Sequence, residues 1–222
     1  EKKQLYGEVL TPFHFVNEIL DNIPINIYKN PNFKWLDPGT GTGNFSISLY
    51  YKLLSSLETI IQDEEERKNH IIQNMIFMVE LRYENIEKLK IIFGKDANIY
   101  HQDFLTFFPA ITENFDVIIG NPPFNFNGVK KVPTNIVSHK KADGHTIWID
   151  FVKKSISLLK PNGIMSIFIP SIWLKPDKEK MYYYLLQYNI KNLKCFSNTE
   201  TNQIFKGNAQ TPSCYFILKK EQ

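Results

Sequence analysis

Asn121-Pro122-Pro123-Phe124, set directly after the apolar run Val117-Ile118-Ile119-Gly120, is the stretch of this chain best suited to chemistry. The β-branched run reads as a buried strand whose carboxyl end opens into a rigid turn. Two successive prolines remove two backbone N–H donors and fix φ, so the carbonyls around them stay outside any ladder. The Asn121 side-chain oxygen and the Pro122 carbonyl are then two acceptors for one planar NH₂ group. The Phe124 ring offers a stacking surface to whatever carries that amine. Such a set suits methyl transfer to an exocyclic or amide nitrogen; a chance turn is the competing reading.

A second constellation lies upstream. Phe33-Lys34-Trp35-Leu36-Asp37 predicts a strand, followed by Pro38-Gly39-Thr40-Gly41-Thr42-Gly43-Asn44-Phe45 and a helix over 44–57. Glycines at alternate positions permit a tight turn and a close approach to a ligand, and the start of the helix aims N–H groups at the same place. The spacing differs from the dinucleotide fingerprint, and Asp37 precedes the glycines at the strand end. A carboxylate there disfavours a pyrophosphate and favours a cationic ligand, such as the amino group and sulfonium of S-adenosyl-L-methionine. Glu80 closes a strand over 75–80, where an acid is placed to hold vicinal ribose hydroxyls. Pairing with Arg82, or capping the helix over 82–93, are its alternatives. Asp103-Phe104 follows a strand over 97–102 and can accept from an adenine amino group while packing on its face; otherwise Asp103 is a turn or N-cap residue.

Those residues need a scaffold that gathers strand ends. Residues 1–11 read as extended up to Thr11-Pro12, after which Phe13, Val16, Ile19, Leu20 and Ile23 recur at helical spacing. Thr11 reads as the N-cap and Pro12 as the first helical residue. The acidic segment 58–69 reads as a helix end plus surface connection, and 115–120 as the fourth strand. Segment 125–144 lacks periodicity and reads as an active-site loop. Its Lys130, Lys131, His139, Lys140 and Lys141 are either placed to neutralise phosphates or form a solvated surface. A helix over 145–159 and a strand over 164–169 follow. Trp173 either walls the cleft or fills the core. A helix over 177–188 and strands over 190–196 and 212–218 complete the chain, with Phe205-Lys206-Gly207-Asn208 in the last link within range of a base pocket. Alternating strands and helices predict a doubly wound, Rossmann-like α/β sheet of seven strands, with ligands at the strand carboxyl ends.

Composition sets wide bounds. The 222 residues suit one sizeable domain, and 43% hydrophobic with 22% charged residues is ordinary for a globular protein without a membrane span. Cys195 and Cys214 lack metal-ligand spacing, so no metal is expected and a reducing, cytoplasmic setting is. A net charge of +3 is too small to identify a nucleic-acid partner by itself.

Taken together, the motifs resemble the catalytic domain of adenine-N6 DNA methyltransferases of restriction-modification type, nearly throughout the chain. In that resemblance Gly7 to Pro12, with Gly7, Thr11 and Pro12, matches the N-terminal motif for the methionine end of the cofactor. Asp37, Pro38, Gly39, Thr40, Gly41, Gly43 and Phe45 match the main cofactor motif, Glu80 the ribose-binding acid, and Asp103-Phe104 the adenine-binding pair. Asn121-Pro122-Pro123-Phe124 matches the catalytic motif, in the gamma order. The resemblance implies a class I S-adenosylmethionine-dependent fold, methylation of adenine N6 in DNA, and base flipping with Phe124 on one face of the target and Phe205 on the other. The family commonly has Tyr where this chain has Phe124. Its members of this order usually carry a separate target-recognition region, so recognition is expected from a further C-terminal region or a separate specificity subunit, unless the substrate needs little sequence reading. An RNA base or a protein glutamine would suit the same turn. A catalytically silent, cofactor-binding subunit is the reading from a different class.

Overall fold

The computed structural model describes residues 9–109, 114–125, 146–176 and 180–221. Its elements follow the hydrophobic periodicity. They run α1 (Phe13–Asp21), a short α2 (Ile25–Tyr28), β1 (Trp35–Pro38), α3 (Asn44–Ser56), α4 (Glu64–His70), β2 (Ile76–Glu80), α5 (Tyr83–Phe93), β3 (Asn98–His101) and β4 (Phe115–Gly120). After these come α6 (Trp148–Leu158), β5 (Leu159–Pro170), α7 (Met181–Leu185), β6 (Asn189–Phe196), α8 (Asn198–Ile204) and β7 (Ser213–Lys219).

The strands form one seven-stranded sheet in the order β3-β2-β1-β4-β5-β7-β6. Strands β1 to β5 pair in parallel, whereas β7 runs antiparallel to both β5 and β6. Because side chains alternate across a strand, neighbouring residues feed opposite faces. Trp35, Met78, Val117, Ile119 and Phe168 pack with α1, α3 and α5 on one side. Leu36, Val79, Ile118, Met165 and Phe216 pack with α6 and α7 on the other. Both faces are therefore covered, as a parallel sheet requires.

Several boundaries differ from the sequence reading. The acidic stretch forms α4, because Asp63 caps it by accepting from the Glu66 amide and Glu64 to Glu66 sit at its positive end. Strand β5 starts at Leu159 rather than 164: Leu159 pairs with Phe115, and Asn162 adopts φ 63° where the chain bends. The link between β6 and β7 contains α8, closed by a capping box in which Ser197 and Glu200 satisfy one another's backbone amides. Thr11 does not cap α1. Pro12 occupies that position, with its carbonyl accepting from Phe15 and Val16, and the Thr11 hydroxyl is used elsewhere. Trp173 is a core filler: it is buried, donates its indole N–H to Cys214 Sγ and meets Phe216 edge-on. Among the described residues no helix is long and apolar enough to cross a membrane, and no group of His, Cys, Asp or Glu is arranged to hold a metal ion.

Candidate active site

The strand order reverses between β1 and β4, which leaves a crevice outside their carboxyl ends. A cleft of about 290 Å³ opens there, near the lower end of the range of about 300–1,000 Å³ usual for small-molecule sites. The glycine loop forms its floor. Gly39, Gly41 and Gly43 have φ of 96°, 59° and 96°, in the region that favours glycine. At Gly43 a Cβ would also lie 2.8 Å from Cδ2 of the buried Leu89, so the start of α3 packs on α5 only without a side chain.

The loop is strapped to the end of β2. Gly39 and Thr40 amides donate to the Val79 carbonyl at 2.8 and 3.1 Å, and the Gly41 amide donates to Glu80 Oε2 at 2.8 Å. Glu80 Oε1 accepts from the Arg82 amide at 2.7 Å, so this carboxylate also organises the entry to α5. Burial pushes the Glu80 carboxyl above its usual range, opposed by those amide donors. Asp37 is only 3% exposed. Burial, opposed by the Ser46 hydroxyl and reinforced by the negative Glu80, raises it to about 7. Its Oδ2 accepts from Ser46 Oγ at 2.8 Å, while Oδ1 faces Gly120 so closely that a Cβ there would lie 3.3 Å away.

Asn121 leaves the end of β4 into the same cleft, followed by Pro122, Pro123 and Phe124 along its wall. Asn121 Nδ2 donates to Thr11 Oγ1 at 3.0 Å, which keeps the amide oxygen available as an acceptor. The Phe124 ring tilts at 36° against Phe168, 6.1 Å between centroids. Asp103 accepts from the Leu105 amide at 2.9 Å, so the turn role and the cleft position coincide in one residue. Phe104 is buried against Phe151 at 5.1 Å and borders the cleft.

The expected site residues thus divide into three groups. Thr11, Gly39, Thr40, Gly41, Phe45, Glu80, Asp103, Phe104 and the Asn121–Phe124 turn meet at the cleft. Pro12, Asp37, Pro38 and Gly43 are not part of its wall and support it from behind. Gly7, Lys130, Lys131, His139, Lys140 and Lys141 lie outside the described residues. Phe205 borders the cleft, yet at 3% exposure it is chiefly core, packed on Phe15 and Phe168. Sequence reasoning missed Asn44 and Ser46, which look like ordinary first-turn residues of a helix. It put Gly207 and Asn208 within range of a base pocket and did not extend this to Ala209, Gln210 and Thr211, and all five, from the far end of the chain, line the cleft.

Solved structures of the class I S-adenosylmethionine-dependent methyltransferases share this architecture. One assigned to that class, from Listeria monocytogenes, superposes with a TM-score of 0.60 at 19% identity, over 96% of this chain and 61% of its own. The M protein of the type I restriction enzyme EcoKI gives 0.69 at 15% identity, over 96% and 44%. Residues 43–205 match the family model of the Eco57I restriction-modification methylases, and the chain belongs to that family. The type II restriction enzyme and methyltransferase RM.Eco57I of Escherichia coli is 24% identical over 278 residues, covering 96% of this chain and 28% of that protein. An uncharacterized adenine-specific methylase of Mycoplasma pneumoniae is 35% identical over 77 residues, 33% of this chain and 18% of its own length. The chain therefore spans less than a third of these curated relatives.

S-adenosylmethionine is the cofactor of this fold class and family, and the residues present fit it. A Cβ at Gly39 would lie 3.6 Å from Phe151 and 4.0 Å from Pro123, both on the cleft wall, so the glycine turn keeps that side of the cleft open to a ligand, and the Glu80 carboxyl on the same wall supplies acceptor oxygens. Glu80, Asp103 and Phe104 border the same space.

Proposed function

We propose that this chain methylates the exocyclic N6 of adenine in DNA. The observation that carries the reading is the position of Asn121: it stands at the end of β4 across the cleft from the glycine loop, with its NH₂ engaged by Thr11 and its oxygen left to accept. S-adenosylmethionine, when bound, supplies an electrophilic methyl group. The chain's own residues prepare the nucleophile. An adenine amine is poorly nucleophilic because its lone pair is delocalised into the ring. Hydrogen bonds from that amine to Asn121 Oδ1 and the Pro122 carbonyl favour a pyramidal nitrogen and stabilise the positive charge that develops on it. No strong general base is needed before attack, so positioning and electrostatics account for the rate. Phe124 stacks on the base, and a base in a duplex must first be flipped out.

Membership of a restriction-modification methylase family supports DNA as the substrate, and the adenine-specific methylase among the relatives supports adenine as the target base. Gly7, Thr11 and Pro12 are assigned to the methionine end of the cofactor, Glu80 to its ribose and Asp103-Phe104 to its adenine. Lys130, Lys131, Lys140 and Lys141 are assigned to the phosphates of DNA. Recognition of sequence is assigned to a further region or a specificity subunit. LlaGI, a restriction-modification enzyme whose structure holds a DNA substrate mimic, shares the fold with a TM-score of 0.69 at 14% identity, over 97% of this chain and 26% of its own.

Labelled methyl transfer to DNA, RNA and protein in parallel, with digestion to nucleosides, tests the reading. N6-methyladenine in the DNA digest is the expected product; label confined to RNA or to glutamine would overturn it. Asn121→Ala is expected to lower kcat by on the order of 10²–10³ while S-adenosylmethionine still binds in calorimetry. Undiminished transfer by that variant would remove Asn121 from the mechanism.

A further inference from the structure

An amide side chain has an oxygen and an NH₂ group of nearly equal size, so its own shape does not decide which of them faces a ligand. The way a hydrogen-bonded neighbour is held does. For Asn121 that neighbour is Thr11, whose Oγ1 accepts from Nδ2 at 3.0 Å. Thr11 is itself buried and tethered. Its carbonyl accepts from Nδ2 of Asn44 at 2.7 Å. Asn44 opens α3 directly after Gly43, and its Oδ1 accepts from Thr42 Oγ1 at 3.4 Å. Three segments far apart in the chain, the glycine loop, the approach to α1 and the end of β4, are joined through these four residues, with the Thr11 backbone carbonyl as one of the links.

We infer that Thr11 and Asn44 are positioning residues that fix the Asn121 amide with its oxygen toward the cleft, so that the glycine loop and the catalytic turn are set in register by one hydrogen-bonded chain. The inference rests on the methyl-transfer reading above and gives Thr11 a task at the acceptor amine in addition to its place beside the cofactor. Without the Thr11 hydroxyl the amide is free to turn its NH₂ toward the substrate amine, placing donor against donor.

Thr11→Val keeps the side-chain shape and removes the hydroxyl; Thr11→Ser restores it. With plasmid DNA as substrate, Thr11→Val is expected to lower kcat by at least about ten-fold, a larger factor than any rise in the Kd for S-adenosylmethionine, and Thr11→Ser to recover most of the rate. Asn44→Ala should also lower kcat, and the double variant should be no worse than Thr11→Val alone, because both act on one chain. A readout without turnover is the ¹H–¹⁵N signal of the Asn121 side-chain NH₂, identified by its loss in Asn121→Asp. Its protons should exchange slowly in the wild type and in Thr11→Ser, and fast in Thr11→Val. An amide signal indifferent to Thr11→Val overturns the inference, as does a loss of cofactor affinity that matches the loss of kcat. If the wild type methylates no DNA yet the amide signal responds as expected, the substrate assignment fails and the positioning role stands.

Discussion

At Asp37, burial sets a pH dependence that an exposed carboxylate would not have. Its carboxyl ionises near 3.8 in an unperturbed setting and near 7 in the fold, chiefly because burial penalises the charge and Glu80 is negative beside it. A raised acid binds its proton more tightly when folded. Its stabilisation is therefore complete below about 3.8 and lost as the pH rises through about 7. Glu80 is shifted in the same direction by its burial. The thermal midpoint of the unliganded protein should accordingly fall between about pH 4 and about pH 7, each pH unit being worth up to about 1.4 kcal/mol per group. Asp37→Asn keeps the acceptor for Ser46 and should flatten that slope in a pH series of melting curves. An equal slope in the variant would mean that Asp37 ionises normally.

Among the elements, α8 shows how a short helix can serve a site that it does not itself form. Seven residues are too few to be stable alone. The Ser197–Glu200 capping box satisfies its first turn, and Thr201 and Phe205 anchor it in the core. The segment from Gly207 to Thr211 then emerges at the cleft. Ser197→Ala should lower stability by about 1 kcal/mol, measured by denaturant unfolding. A cap that contributed nothing would leave the midpoint unchanged. The Ser-x-x-Glu signature was present in the sequence, yet two short flanking turns and a lack of strong periodicity hid the helix. The elements that were legible, β1, β2, β4, α1 and α3, are those whose apolar spacing is uninterrupted and which Pro, Gly or, for β2, an acid bounds at one end.

Across the whole molecule, Phe168 ties distant parts of the chain together. It lies on β5 within aromatic contact of Phe15 from α1, Phe124 of the catalytic turn, Phe196 from β6 and Phe205 after α8. Phe168→Ala removes the centre of that cluster and should cost about 3–5 kcal/mol, with the loss visible as a lower denaturation midpoint. A loss below about 1 kcal/mol would show that the cluster collapses around the gap.

The sequence by itself determined the chemistry on offer and the fold class. Asp37, the alternate glycines, Glu80, Asp103 and Asn121 are all strand-end residues, and strand ends are written locally, in apolar runs stopped by Gly, Pro or an acid. Only the tertiary structure decided which of them face the cleft. Asp37 turned behind it because Ser46, one helical turn into α3, offered a hydroxyl at 2.8 Å. Thr11 left the cap of α1 for Asn121, 110 positions away. Hydrogen-bond partners and aromatic neighbours of that kind depend on the order in which strands sit side by side, and β4 lies beside β1 through long-range packing that no local pattern encodes.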